Sequence, residues 1–275
     1  FFFKQKTAYE IYQCDWSSDV CSSDLNQAKE FVVICADDEG AKRVTKLINQ
    51  SKLITFGSSP EATVRISTVD ASGPRVSFVL EYLGQQHPAT LRVAGEHNAI
   101  NAAGAFAVLV GLGYEPKKVI ESLVSFGGTE RRFELHGEIR GVSVYDDFAH
   151  HPTEVSAALA GARAVVGVGR LITVFQPHLY SRTRLFAKEF AQALAASDQV
   201  VVLDIYGARE DPEPGVTGAL IADAFLDQSR MHYVPNWDDV PQAVAGIAKA
   251  GDFVITMGCG DVYRQVPGIL EALKD

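Results

Sequence analysis

From residue 142 to residue 273 the sequence switches between short apolar runs and stretches of helical spacing so regularly that few architectures can accommodate it. Segments 142–148, 171–175, 200–205, 232–235 and 253–257 have the composition and length of buried strands. Segments 152–165, 182–196, 217–226, 240–250 and 262–273 repeat apolar residues at helical intervals. Pro152 opens the first of these, where a missing N–H leaves no helical bond unmade. Strand and helix in strict alternation predict a doubly wound parallel sheet, whose ligands sit beyond the carboxyl ends of its strands.

The sequence before this block follows a different pattern. Residues 31–36 (FVVICA) and 53–56 read as strands, and 42–49 as a helix between them. Segments 62–69, 75–83 and 87–93 alternate apolar and polar residues, as an antiparallel meander does. An Ala-rich apolar stretch, 98–112, reads as a buried helix, and a second helix is expected over 116–125. The paired glycines of FGGTERRFE then mark a hinge, so one domain is expected over 26–127 and another over 128–275.

Charge and composition narrow the function. Hydrophobic residues make up 47% of the 275 and charged residues 21%, enough to bury a core. The net charge of -9 offers no basic footprint, so neither nucleic acid nor an anionic membrane is an expected partner. Any anionic ligand has to be held by a local cluster of Arg and His. No apolar run approaches the roughly 20 residues of a spanning helix, and four scattered Cys suit neither a disulfide framework nor a metal knuckle. A cytoplasmic location is the expectation.

Residues 1–25 stand apart, with neither helical nor strand period. Written back into codons, residues 4–11 and 15–25 reproduce two short-read sequencing-adapter oligonucleotides in their usual order. The segment resembles translated adapter, is expected to be disordered, and is set aside from fold reasoning together with Cys14, Trp16 and Cys21. The natural sequence is then expected to start abruptly at Asn26, with its true N-terminus missing.

Four constellations carry chemistry. In GEHNAINAAGA, Asn98 suits a helix N-cap, while His97 and Asn101, four residues apart, share a face and could grip one ligand. An Asn amide offers a donor and an acceptor to an adenine edge. In GGTERRFE, Arg131 and Arg132 form either a solvated turn or a phosphate clamp. YDDFAHHPTEV places Asp146, Asp147, His150 and His151 at the end of a predicted strand. Adjacent histidines do not easily face one metal ion, so Asp on ribose hydroxyls and His on phosphate or carboxylate is the better reading, beside that of a polar loop with an acidic cap. FQPHLYSRTR sets His178, Arg182 and Arg184 at a helix N-terminus, where amides and dipole favour an anion; a pair of surface arginines is the plainer alternative. Gly258–Asp261 (GCGD) resembles a Gly-rich phosphate turn, and Cys35 and Cys259 read as small core residues.

Taken in order, these segments, with VLDIYGAREDPEPGV and GCGDVYRQVP, resemble the Mur ligases of peptidoglycan synthesis, most closely the branch that adds L-alanine to UDP-N-acetylmuramate. The resemblance runs from about Asn26 to Asp275. It implies the end of a central ATPase domain followed by a Rossmann-like C-terminal domain, and amide formation through an acyl-phosphate in the cytoplasm. It further implies His97 and Asn101 at adenine, Arg132 at the ATP phosphates and Asp147 at the ribose. Phe148, His150, His178 and Arg182 would meet the amino acid and the sugar nucleotide, with His150 and Arg132 as the catalytic candidates. The family pattern carries Tyr where this chain has Phe148, so that hydroxyl is missing. GxxGK[ST] does not occur in the sequence. That loop, the Mg2+ ligands and a UDP-binding domain are expected ahead of Asn26, and the chain alone is expected to be inactive. The alternatives are a ligase that recycles murein peptide and a non-catalytic nucleotide- or UDP-sugar-binding module. Deleting residues 1–25 should leave the thermal melt unchanged; a trimmed chain several degrees less stable would mean that the segment packs on the domain.

Overall fold

The structure, a computed structural model, describes residue 28, residues 30–46 and residues 49–274. The adapter-like segment 1–25 lies outside the described residues. The chain divides between Gly127 and Gly128 into two compact units.

The first unit is built on a five-stranded sheet in sequence order: β1 (Val32–Cys35), β2 (Leu53–Gly57), β3 (Val64–Asp70), β4 (Val76–Tyr82) and β5 (Gln85–Leu91). The first three strands are parallel, and β3 to β5 form the expected antiparallel meander. Leu83 and Gly84, with φ of 50° and 75°, close the β4–β5 hairpin as a two-residue turn whose handedness matches strand twist. Between β1 and β2 the helix expected over 42–49 is found earlier, as α1 (Glu39–Thr45). Asp38 explains the shift: its carboxylate accepts the Ala41 amide at 2.6 Å, a cap that starts the helix.

Helix α2 (Glu96–Gly111) covers this sheet, and α3 (Pro116–Ser125) follows it. The buried face of α2 is Ala99, Ala102, Ala103, Phe106, Ala107 and Val110, the i, i+3, i+4, i+7 stripe of an amphipathic helix. Its small residues allow close approach: a Cβ on Gly104 would stand 3.0 Å from the Phe56 ring. Phe106, fully buried, meets Tyr82 edge to face at 5.8 Å.

The second unit holds a six-stranded sheet ordered β10-β9-β8-β11-β7-β6. Its strands are β6 (Glu134–Ile139), β7 (Val142–Asp147), β8 (Leu171–Phe175), β9 (Gln199–Val202), β10 (Met231–Tyr233) and β11 (Phe253–Met257). All pairings are parallel except β6–β7. Strand β6 is the element the sequence pattern did not announce; it pairs with β7 through a turn at Arg140 and Gly141, whose φ values are 51° and 76°.

Alternation along the central strands separates two cores. Leu171 and Phe175, Val200 and Val202, Ile255 and Met257 face α4 (Pro152–Val166), α5 (Tyr180–Leu194) and α6 (Ala219–Ala224). Ile172 and Val174, Val201 and Val254 face α7 (Val240–Ile247) and α8 (Gln265–Ala272). Helices on both faces of an open, mostly parallel sheet make the doubly wound fold that the alternation predicts. Phe106→Ala should cost about 3–5 kcal/mol through lost burial and a residual cavity, read as a lower urea midpoint for the first unit.

Candidate functional site

The register brings the carboxyl ends of the second unit's strands level. Met257 of β11 pairs with both Asp147 of β7 and Phe175 of β8, and Phe175 pairs with Val202 of β9. The loops leaving these strands therefore start from one row, and they carry YDDFAHH, FQPHLYSRTR, DIYGARE and GCGD.

Two buried carboxylates lie under the site. Asp146, at 0% exposure, is met by Arg131 Nε at 2.8 Å and by Thr256 Oγ1 at 2.6 Å. The same guanidinium donates to the carbonyls of Gly258 at 2.6 Å and Gly260 at 3.4 Å. It lies against the rings of Phe148 and Tyr263, 4.9 and 4.5 Å from their centroids. Arg131 is thus an internal tie. Its φ of 58°, with 50° at Phe133, turns the RRF segment so that Arg132 is the exposed arginine, its guanidinium 5.5 Å from the Phe148 centroid.

Asp147, at 5% exposure, accepts the Phe133 amide at 2.9 Å and the Ala149 amide at 2.8 Å, one on each oxygen. Burial pushes its carboxyl up to about 6, against the opposing pull of the two amides and Arg132. The residue anchors both loops that flank it.

Above this floor, His150, His178 and Arg182 come together. The two imidazoles meet edge to face at 6.1 Å, and Arg182 donates to the His150 carbonyl at 3.3 Å. His178 Nδ1 is buried with no hydrogen-bond partner, and its ring lies parallel to Tyr206 at 5.8 Å. Burial, then Arg182 and His150, lower the His178 imidazole to about 4. It is neutral near pH 7, so the positive charge here belongs to the arginines, and a bound anion would draw a proton back. Leu179, with φ of 72°, starts α5 and sets Arg182 in its first turn. Further along α5 the helix breaks at Phe186, with φ of -121° and ψ of 19°.

Two expectations need correction. The N-terminus of α5 is not an open anion seat: Glu210 accepts the Ser181 amide at 2.9 Å and the Ser181 hydroxyl, and Arg184 pairs with Glu213 at 3.1 Å. Asn98 is not the cap of α2. The helix begins after Gly95, whose φ is 95°, and Asn98 donates back to the Ala94 carbonyl at 2.7 Å. A Cβ on Gly95 would stand 2.5 Å from the His97 ring, and a φ of 95° is one that other residues rarely adopt. His97 and the exposed Asn101 are on the first unit; Arg132, Asp147, Phe148, His150, His178 and Arg182 gather on the second.

Gln176, outside the four constellations' candidate residues and 5% exposed, clasps the loop after β11. Its amide donates to Asp261 at 2.8 Å and accepts the Asp261 and Val262 amides at 3.1 Å each. The strand-end position was the available signal, but the partners lie 85 residues away. Cys259 is half-buried and burial pushes its thiol up to about 11, so it is no nucleophile at neutral pH; Cys35 packs partly buried against the first core. Among the described residues no group of three or more His, Cys, Asp or Glu side chains could hold a metal ion, and no helix is long and apolar enough to cross a membrane.

Fold and site together define a doubly wound α/β domain with an arginine- and histidine-bearing cluster at its strand ends, preceded by a second α/β unit. The chain belongs to the Mur ligase family: residues 131–260 match the Mur ligase glutamate ligase domain, and residues 23–109 match the Mur ligase middle domain. It is 55% identical over 248 residues to UDP-N-acetylmuramate–L-alanine ligase of Clavibacter michiganensis, spanning 90% of this chain and 52% of that protein. It is 45% identical over 260 residues to the enzyme of the same name from Thermobifida fusca, across 90% of this chain and 55% of that one. The chain thus spans about half the length of these curated relatives. The crystal structure of UDP-N-acetylmuramate–alanine ligase MurC from Thermotoga maritima superposes with a TM-score of 0.70 at 26% identity, covering 89% of this chain and 51% of that one.

A pH series tests the electrostatics. Because His178 is depressed in the fold, its stabilising share is complete above the unfolded pKa near 6.5 and is lost as pH falls from there towards about 4. Melts of wild type and His178→Asn should converge between pH 7 and pH 4.5, wild type losing more. Parallel curves would mean that the ring is as solvated folded as unfolded.

Proposed function

We propose that this chain supplies two domains of an ATP-dependent ligase that joins L-alanine to the carboxylate of UDP-N-acetylmuramate. The observation that carries the reading is a chain of contacts at level strand ends, Arg132 and His150 against Phe148 and His178 and Arg182 against His150, in a chain of net charge -9. In such a reaction the sugar-nucleotide carboxylate takes the γ-phosphoryl group of ATP, and the alanine amine then displaces phosphate from the acyl-phosphate. Every participant except the amine is anionic, so the protein's task is charge neutralisation and alignment.

The residues divide accordingly. His97 and Asn101 would meet the adenine from one face of α2, and Asp147 the ribose through the lone pairs its two amides leave. Arg132 would clamp the ATP phosphates. His150, His178 and Arg182 would hold the amino acid and the anionic groups of the sugar nucleotide, against the Phe148 ring. Mg2+ would accompany ATP; among the described residues no cluster of side chains fits it. The names of the curated relatives favour alanine over a murein peptide as the acceptor.

The test fuses residues 26–275 in frame behind the front half of the Clavibacter relative and follows phosphate release. Release that depends on both L-alanine and UDP-N-acetylmuramate is expected; a folded fusion that prefers a peptide, or binds nucleotide without turnover, overturns the reading. Within the active fusion, Arg182→Ala removes a charge-assisted hydrogen bond worth about 1.5–3 kcal/mol, so kcat/KM for alanine or the sugar nucleotide should fall roughly tenfold to a hundredfold or more. KM for ATP should stay within about twofold, whereas His97→Ala should raise it. An Arg182→Ala enzyme penalised for ATP alone would invert the division of labour.

A further inference from the structure

His150 sits in a hydrogen-bonding frame that fixes its tautomer. Its Nδ1 lies 3.0 Å from the Phe148 carbonyl and 3.2 Å from Glu154 Oε2. Both partners are acceptors at neutral pH, so Nδ1 carries the proton and Nε2 the lone pair. Glu154 is itself held, accepting the His150 and His151 amides at 3.0 and 3.3 Å as part of the capping box of α4. The two side chains are 15% and 11% exposed, so the pair is largely shielded from water. A carboxylate, an oriented imidazole and a second nitrogen that accepts together make the arrangement of a general base.

An amino acid reaches neutral solution as an ammonium, which has no lone pair with which to attack. Resting on the ligase reading above, we propose that His150 Nε2 takes the ammonium proton of the incoming amino acid and that Glu154 is its positioning residue. The N–H bond breaks, its electron pair stays on nitrogen, and the proton joins Nε2 to give an imidazolium. The amine nitrogen then bonds to the acyl carbon as the carbon–oxygen bond to phosphate breaks, and the departing phosphate keeps that pair. A second proton passes from nitrogen to water as the amide forms.

The surroundings suit a base that starts neutral. Charged and titratable groups near the ring are Glu154 and His151 at the start of α4, Arg182 on α5, His178 just before it, and Arg132 ahead of β6. Burial, Arg182 and Arg132 lower the proton affinity of His150, while Glu154 and the Phe148 carbonyl raise it. Glu154 then stabilises the imidazolium through the Nδ1 proton.

Two measurements decide the matter. On this chain, long-range 1H–15N NMR should find His150 as the Nδ1–H tautomer, with Glu154→Gln lowering its pKa; an Nε2–H tautomer overturns the proposal, whatever the fused enzyme does. In the fused ligase, His150→Asn should lower alanine-dependent turnover by about 10²–10⁴-fold, the usual contribution of a general base. Hydroxylamine, largely unprotonated at neutral pH, needs no such base, so its capture of the acyl group should stay within a few-fold of wild type. Glu154→Gln should cut kcat with little change in KM for alanine, and shift the acidic limb of the pH profile downwards. Equal loss with both nucleophiles, or an unmoved acidic limb, gives His150 a structural role only and overturns the assignment.

Discussion

A carboxylate taken out of water survives only where counter-charge or hydrogen bonds replace its hydration, and β7 ends in two of them side by side. Meeting that demand organises the whole upper surface of the second unit. Asp146 draws Arg131 inward, and Arg131 carries the loop after β11 with it through two carbonyls. Asp147 gathers main-chain amides from the segments on either side. Segments that are more than a hundred residues apart in sequence are joined at one point, and the exposed Arg132 and the largely buried His150 take their places from that junction.

The same accounting of charge explains why the strand-end cluster is less cationic than its sequence suggests. Arg131 is neutralised by Asp146, Arg184 by Glu213, and the amide at the start of α5 by Glu210. The two histidines that face one another are held towards the neutral form by burial and by Arg182. Positive charge at the site therefore rests on Arg132 and Arg182, with Arg209 acting on His178 and Arg182 from the loop after β9, while the histidines offer lone pairs and N–H groups. This division is the one that the proposed ligase chemistry would use.

Much of this was legible before any coordinates. Segments 116–125, 171–175 and 253–257 were read with their observed bounds, because Gly, Pro and polar residues punctuate them clearly. Strand β6 was not: it is an edge strand, exposed at Leu135 and His136, joined by an Arg-Gly turn where the usual signal is Asn-Gly or Asp-Gly. The start of α2 was misjudged at Asn98 because the backbone freedom of Gly95 decides it, not a side-chain cap. At the site, polar residues following strands were visible as motifs. What stayed hidden was which of two adjacent arginines turns inward, since the backbone angle at Arg131 settles that. The partners of Gln176 and Ser181 were also hidden, because pairings across 85 and 29 residues leave no local trace.

The break in α5 at Phe186 divides the helix mechanically. The turn bearing Arg182 is fastened to the loops, by Glu210 at Ser181 and by the His150 carbonyl. The longer segment is fastened to the sheet through Phe190 and Leu194. The kink thus separates a turn held by the strand-end loops from a segment held by the core. The direction of the Arg182 side chain is therefore set where α5 meets the loops after β7 and β9.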